Sequence, residues 1–325
     1  MGEFDLIARY FTRPTPNAAL GVGDDCALLQ PGPGMQLAIS CDMLVEGRHF
    51  LSTVDPGKLG HKALAVNLSD LAACGAKPLA FTLALALERA DEAWLAPFSR
   101  GLLALADLHG CELIGGDTTR GPLNICITVF GEVPAGQALL RSGARAGDDL
   151  YVSGTLGDAR LALDVFRGTQ SVPAAVFEQA RARMEQPTPR VALGLALRGI
   201  AHAAIDVSDG LLGDLGHILD ASGVGAVVDT SITINLIAAC QDSTRAKTLF
   251  DADTQLGYVL AGGDDYELVF TAPASKRDAV HAAAEQARTP VTRIGHIEAR
   301  PGLRLVDARG RPVSVQHLRS FDHFA

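Results

Sequence analysis

Apolar residues recur at helical spacing from Phe4 to Phe11, and the stretch Thr12 to Asn17, with two prolines, ends that pattern. Gly21-Val22-Gly23-Asp24-Asp25 reads as a tight loop entering a short apolar strand, Cys26 to Leu29. Met35 to Ser40 reads as a strand running into Cys41-Asp42, which puts Asp42 at the strand's mouth ahead of a polar loop from Glu46 to Phe50. Lys58 to Cys74 has the period of a helix, stopped by Gly75 with Pro78 beyond, and Ala63, Asn67, Asp70 and Cys74 share one of its faces. Leu79 to Leu87 is predicted as a buried strand, Asp91 to His109 as a helix, Glu112 to Ile114 as a strand entering the loop Gly115 to Gly121, and Leu123 to Val133 as a further strand.

The glycine-bearing stretch Pro134 to Gly147 has no clear period and marks the domain boundary, giving domains of residues 1–140 and 141–325. Beyond it, a strand from Asp149 to Ser153 leads through Gly154-Thr155-Leu156-Gly157-Asp158 into a helix from Ala159 to Phe166. Helical segments continue towards Met184 and from Val191 to Ala201. Ala203 to Val207 reads as a strand, with Ser208 or Asp209 able to cap a helix from Gly210 to Leu219. Strands near Gly225 to Val228, Glu267 to Thr271 and Val291 to Ile297, with a helix from Ser275 to Ala287, complete an α/β alternation in both halves. No repeat of roughly 20 to 50 residues is visible.

A chain of 325 residues that is 48% hydrophobic can bury two real cores. Its net charge of -9, from 28 basic against 37 acidic residues without a basic run, argues against a nucleic-acid partner. An acidic protein that handles phosphates needs divalent cations between its carboxylates and the ligand. The start, Met1 to Tyr10, carries Glu3 and Asp5 and lacks a signal-peptide pattern, and no apolar run reaches about 18 residues, so a soluble, cytoplasmic protein without membrane contact is expected. The 6 cysteines form no Cys-x-x-Cys pair and lie mostly in apolar segments, which predicts reduced, buried thiols rather than zinc ligands or disulfides.

Asp25, Asp42, Asp70, Asp117, Asp206 and Asp209 fall at loop entries or on a helix face beside small residues. A single aspartate in such a place is more often a turn or cap residue than a ligand; the number of them argues for metal. Magnesium prefers oxygen ligands and keeps several waters, so scattered single carboxylates around phosphate oxygens suit it better than a protein-only cage. The Walker A pattern, the protein-kinase set and a dinucleotide fingerprint are absent. His49 is either a solvated loop histidine or a ligand contact, and Arg120, Arg141 and Arg145 either pair with surface carboxylates or fork onto phosphate oxygens. Ser69 and Ser208 lack a neighbouring histidine in a nucleophilic pattern, so acyl-enzyme chemistry is not suggested.

Taken in order, Gly2-Glu3-Phe4, Gly21 to Ala27, Asp42 to Phe50, Asn67 to Pro78, Gly115 to Pro122, Arg141 to Gly147, Gly154 to Ala159, Ile205 to Leu211, Gly262 to Thr271 and Asp322-His323-Phe324 resemble the thiamine-monophosphate kinase family. That family belongs to the superfamily of aminoimidazole-ribotide synthetase and selenophosphate synthetase. The resemblance implies a two-domain α/β fold: an N-terminal mixed sheet with helices that binds ATP and magnesium and forms a homodimer, and a C-terminal α/β domain that completes the site. It implies transfer of the γ-phosphoryl group of ATP directly to the phosphate of thiamine monophosphate, with no covalent nucleophile or general base. It also implies several magnesium ions on Asp25, Ser40, Cys41, Asp42, Asp70, Asp117, Asp206 and Asp209, ATP contacts from Gly116, Asp117, Arg141 and Ser208, and substrate contacts from His49, Asp264 and Phe321. Two positions depart from the family pattern: Cys41 stands for a usual threonine and Asp264 for a usual glutamate. Phe321 and Tyr266 are candidates to stack on a cationic thiamine ring. The rivals are another synthetase of the superfamily, whose reactive N-terminal or C-terminal cysteine is missing here, and a non-catalytic magnesium-nucleotide sensor.

Overall fold

The computed structural model describes residues 2–238, 250–314, 318, 320 and 321. Cys240 and the segment Asp322-His323-Phe324 lie outside the described residues. The chain divides into two compact units, Met1–Leu71 with Ala76–Ala138, and Ala72–Gly75 with Leu139–Ala325.

In the first unit the elements run α1 (Glu3–Tyr10), β1 (Met35–Val45), α2 (Pro56–Ala73), β2 (Lys77–Leu87), α3 (Glu92–His109), β3 (Glu112–Arg120) and β4 (Asn124–Pro134). The strands form a mixed sheet in the order β1-β4-β2-β3, in which only β2 and β3 are parallel. The Asp91 carboxylate accepts from the Ala93 N–H to open α3, and Gly110 closes it in the left-handed conformation. A Cβ at Gly60 would collide with the Phe98 carbonyl, and one at Gly101 with the Gly57 carbonyl, so α2 and α3 pack backbone against backbone. Leu64, Leu68 and Leu71 of α2, Phe98 and Leu102 of α3, and Phe81, Ile125 and Ile127 of the sheet are fully buried and make the core.

Three strand boundaries differ from the expectation. β1 does not stop at Ser40: antiparallel partners on β4 extend it through Val45, so Asp42 lies inside the strand, opposite Ile127. β3 continues past Ile114 through the glycine pair, because parallel pairing with β2, with a register shift after Phe81, carries it to Arg120. Cys26–Leu29 is not a strand; Leu28 alone pairs, with Leu20, and the turn between them carries Asp24 and Asp25.

The thiols are less buried than expected. Cys26 and Cys41 are exposed, Cys74 and Cys126 half-buried, and Cys111 buried, and none of these five is in a disulfide. Cys26 sits in the turn, and Cys41 and Cys126 face outward from the sheet.

The second unit runs β5 (Asp148–Ser153), α4 (Asp158–Phe166), α5 (Ala174–Glu185), α6 (Val191–Leu197), β6 (Ala203–Asp206), α7 (Leu211–Ser222), β7 (Gly225–Asp229), α8 (Thr230–Thr233), α9 (Ala252–Ala261), β8 (Leu268–Pro273), α10 (Arg277–Gln286), β9 (Val291–Glu298) and β10 (Gly302–Val306). Its sheet has the order β10-β7-β9-β5-β8-β6, with β10 and β7 parallel and the rest antiparallel. Leu150, Val152, Leu161, Leu211, Leu215, Ile218, Val269 and Ile294 fill the core between helices and sheet. The elements α8, α9 and β10 were not legible in the pattern. Next to this core lies Glu267, completely buried; its carboxylate accepts from Ser153 Oγ, Arg183 and Arg190. Among the described residues no helix is long and apolar enough to cross a membrane.

Candidate active site

The first unit gathers its acids in two places. At one edge, the turn 20–28 and β3 enclose a cavity of about 650 Å³ lined by Asp24, Asp25, Gly116 and Asp117, with Glu3, Phe4, Ile7 and Phe11 of α1 along its other wall. Asp24 accepts from the backbone N–H of Asp25 at 2.8 Å, a local bond that helps to hold the turn. Gly116 has φ of 151°, and a Cβ there would meet the Leu83 carbonyl, so the backbone itself demands glycine beside Asp117.

The second place is the inward face of β1. Strand alternation puts Ala38, Ser40, Asp42 and Leu44 on one side and Leu37, Ile39, Cys41 and Met43 on the other. On the inward side Ser40 Oγ donates to Asp70 of α2, and Asn67 Oδ1 accepts from the Asp42 N–H at 3.1 Å while its Nδ2 donates to Ala63 O. The shared helix face read from the sequence therefore reaches β1 through both polar side chains. Across the sheet, register aligns Asp42, Ile127, Leu83 and Gly116 in one row, so the two acidic places lie three strand spacings apart, roughly 14 Å.

Cys41 does not join this set with its side chain. Its thiol points outward, 3.4 Å from Cys126 Sγ and within reach of Thr128 Oγ1. The Cys126 thiol is pushed up to about 11, by burial first and then by hydrogen bonding to Cys41. His49 is set in the turn after β1, where its Nδ1 accepts from the Val45 N–H at 3.0 Å.

In the second unit, Asp206 ends β6 and is mostly buried. The following loop is held by backbone bonds: Ser208 O accepts from Asp264 N–H at 2.7 Å, Val207 O from Tyr266 N–H at 2.9 Å, and Asp209 O from Phe321 N–H at 3.0 Å. Ser208, Asp209, Asp264 and Phe321 thus form one patch. Asp264 and Tyr266 both hold positive φ, 62° and 52°, a conformation that costs on the order of 1 kcal/mol per non-glycine residue and persists here because the loop is tied at both points. Phe321 is 47% exposed, whereas Tyr266 is buried, which removes it as a stacking candidate.

Neither Ser208 nor Asp209 caps α7. Gly210 holds the N-cap position without a side-chain bond, and the carboxylate of Asp214 reaches back to accept from the N–H groups of Asp209 and Gly210, both at 3.1 Å. Burial lifts the Asp214 carboxyl to about 7, against the pull of those backbone bonds. The signal was in the sequence: an acid in the first turn, four residues after a glycine that has no side chain to cap with. Arg141 is exposed at the far end of the same helix, described below.

Among the described residues, no three His, Cys, Asp or Glu side chains converge closely enough to cage a metal ion. The donors are single carboxylates and a hydroxyl, hard oxygen ligands that suit magnesium sharing its shell with water and phosphate. Their chemistry fits that ion.

Residues 23–133 match the family AIR synthase related protein, N-terminal domain, and residues 145–308 match AIR synthase related protein, C-terminal domain. A thiamine-monophosphate kinase of Salmonella typhimurium is 48% identical over 332 aligned positions that take in 100% of this chain and 98% of that protein. The crystal structure of thiamine-monophosphate kinase from Stenotrophomonas maltophilia superposes with a TM-score of 0.83 at 47% identity, over 95% of this chain and 96% of that one. A structure of AaThiL complexed with AMPPCP and TMP superposes with a TM-score of 0.72 at 27% identity, over 91% of this chain and 89% of that one. With oxygen-donor loops in both units and full-length relatedness to these enzymes, the chain belongs to the thiamine-monophosphate kinase family of AIR synthase related proteins.

Proposed function

We propose that this protein is a thiamine-phosphate kinase: it transfers the γ-phosphoryl group of ATP onto the phosphate of thiamine monophosphate, giving thiamine diphosphate and ADP. The observation that carries the reading is the 48% identity to such a kinase along the whole chain. An oxygen of the acceptor phosphate attacks the γ-phosphorus as the bond to the β-phosphate oxygen breaks. That acceptor is ionised near neutral pH, so no strong general base is needed, and catalysis reduces to alignment and charge neutralisation.

We assign magnesium to Asp25, Asp42, Asp70 and Asp117 in the first unit and to Asp206 and Asp209 in the second; Ser40 joins through its hydroxyl and Cys41 only through its carbonyl. Magnesium supplies positive charge between two polyanions. The cavity beside Asp25 and Asp117 has the size of a nucleotide site, and its apolar α1 wall suits an adenosine, with Gly116 giving close backbone approach. Arg141 and Ser208 are ATP contacts on the same reading. On the same reading His49 contacts the substrate phosphate, and Asp264 and Phe321 contact the cationic thiamine ring.

The protein acts as a homodimer in the cytoplasm on this reading. Leu37, Ile39 and Met43 form an exposed apolar stripe on the outer face of β1, the kind of surface that a second copy covers.

The purified chain is expected to form thiamine diphosphate and ADP in equal amounts from ATP and thiamine monophosphate with magnesium. Metal-replete protein that binds ATP without making product would instead support a sensor.

A further inference from the structure

The segment that carries Arg141 is pinned to the second unit at nearly every point except the arginine side chain. Leu140 O accepts from Ala204 N–H at 3.0 Å, and Arg145 N–H donates to the buried Asp148 carboxylate at 2.9 Å. Gly143 has φ of 119°, and a Cβ there would lie 2.6 Å from the His202 carbonyl. Between these ties the side chain of Ser222, the last residue of α7, reaches the segment's own backbone. Its hydroxyl donates to Arg141 O at 3.2 Å and accepts from the N–H groups of Gly143 and Ala144, each at 3.1 Å. One donor and both lone pairs of a single hydroxyl are thus spent on three consecutive peptide units.

The opposite end of α7 carries the other clamp, Asp214, which takes the N–H groups of Asp209 and Gly210. A helix of 12 residues is a rigid rod of roughly 18 Å. We infer that α7 is a strut that fixes the Arg141 segment at a set spacing from the Ser208–Asp209 loop, with Ser222 the positioning residue at the arginine end. The inference rests on the proposed contact of Arg141 with ATP and adds the residue that aims it. Without the hydroxyl, two amides and a carbonyl lose their partner, and the arginine is presented from a looser backbone.

Two measurements on the full-length protein test this. Amide hydrogen exchange without nucleotide should show Gly143 and Ala144 exchanging on the order of tenfold faster in Ser222→Ala, with Asp209 and Gly210 unchanged. Steady-state kinetics should show KM for ATP raised roughly three- to tenfold, with kcat and KM for thiamine monophosphate near normal. Ser222→Thr, which keeps the hydroxyl, should restore both. In an Arg141→Ala background the Ser222→Ala change should add nothing to KM for ATP.

Unchanged exchange at Gly143 and Ala144 would overturn the inference. So would faster exchange with normal KM, or an effect that adds fully to that of Arg141→Ala. If Arg141→Ala itself leaves KM for ATP unaltered, the assigned role of Arg141 falls, while the exchange data still report on the strut.

Discussion

Asp24 and Asp25 are adjacent and chemically identical and both line the cavity, but one hydrogen bond distinguishes them: Asp24 accepts from the backbone N–H of Asp25. Asp25→Ala and Asp117→Ala should each lower kcat on the order of a hundredfold or more, with the circular-dichroism spectrum and melting temperature near those of the parent. Asp24→Ala should act more weakly, through the loop. A second acid matters for stability. Asp149 is buried on β5 and bonded to Arg277, with Arg293 beside it, and the Arg277 hydrogen bond first of all holds its carboxyl below the usual range. Its folded-state affinity for protons is lower than in the unfolded chain, so its contribution is present above about pH 4 and is lost as pH falls through the depressed value. Asp149→Asn should flatten that acid limb in urea titrations carried out below about pH 4. The acids themselves were legible in the sequence; which of them is free and which is tied was not, because Arg277 lies 128 residues from Asp149.

At the scale of elements, the close approach of α2 and α3 depends on the absence of side chains. Gly101→Ala would drive a methyl into the Gly57 carbonyl, and we expect a loss of about 1–3 kcal/mol in chemical denaturation as the helices separate. In the second unit, Glu267→Gln would leave Arg183 and Arg190 without their buried counter-charge. The expected cost is about 3–5 kcal/mol in the same measurement. The hydrophobic pattern located the long helices and most strands, since their periods are local properties. It placed the ends of β1 and β3 too early because a strand ends where its partner does, and the partners of β1 are residues 124–134. That misplacement also hid the outward direction of Cys41, which follows only from counting along an unbroken strand. α9 carries too little amphipathic contrast to stand out, and β10 is a short edge strand.

For the whole molecule, the apolar stripe on β1 leads to a prediction about assembly. Ile39 is 60% exposed and Met43 53%, and both face away from the core of their own unit. Ile39→Glu should shift the protein from dimer to monomer in sedimentation velocity while leaving the first unit folded. A wild-type chain that sediments as a monomer at micromolar concentration would contradict the proposed assembly. The net charge of -9 sets the electrostatic problem of two anionic substrates, which the proposed magnesium ions would answer. Removing magnesium with a chelator should abolish turnover, and adding it back should restore it.

The sequence by itself determined the α/β alternation, the oxygen-donor character of the candidate residues and the family, because periodicity and side-chain chemistry are carried by neighbouring letters. Only the tertiary structure decided that Cys41 turns its thiol away from the acids, that Tyr266 is buried, that Asp214 rather than Ser208 or Asp209 organises the start of α7, and that Ser222 holds the backbone of Arg141 from 81 residues away. Each of these is fixed by strand register or by a hydrogen bond between distant segments, and such pairings exist only once the chain has closed on itself.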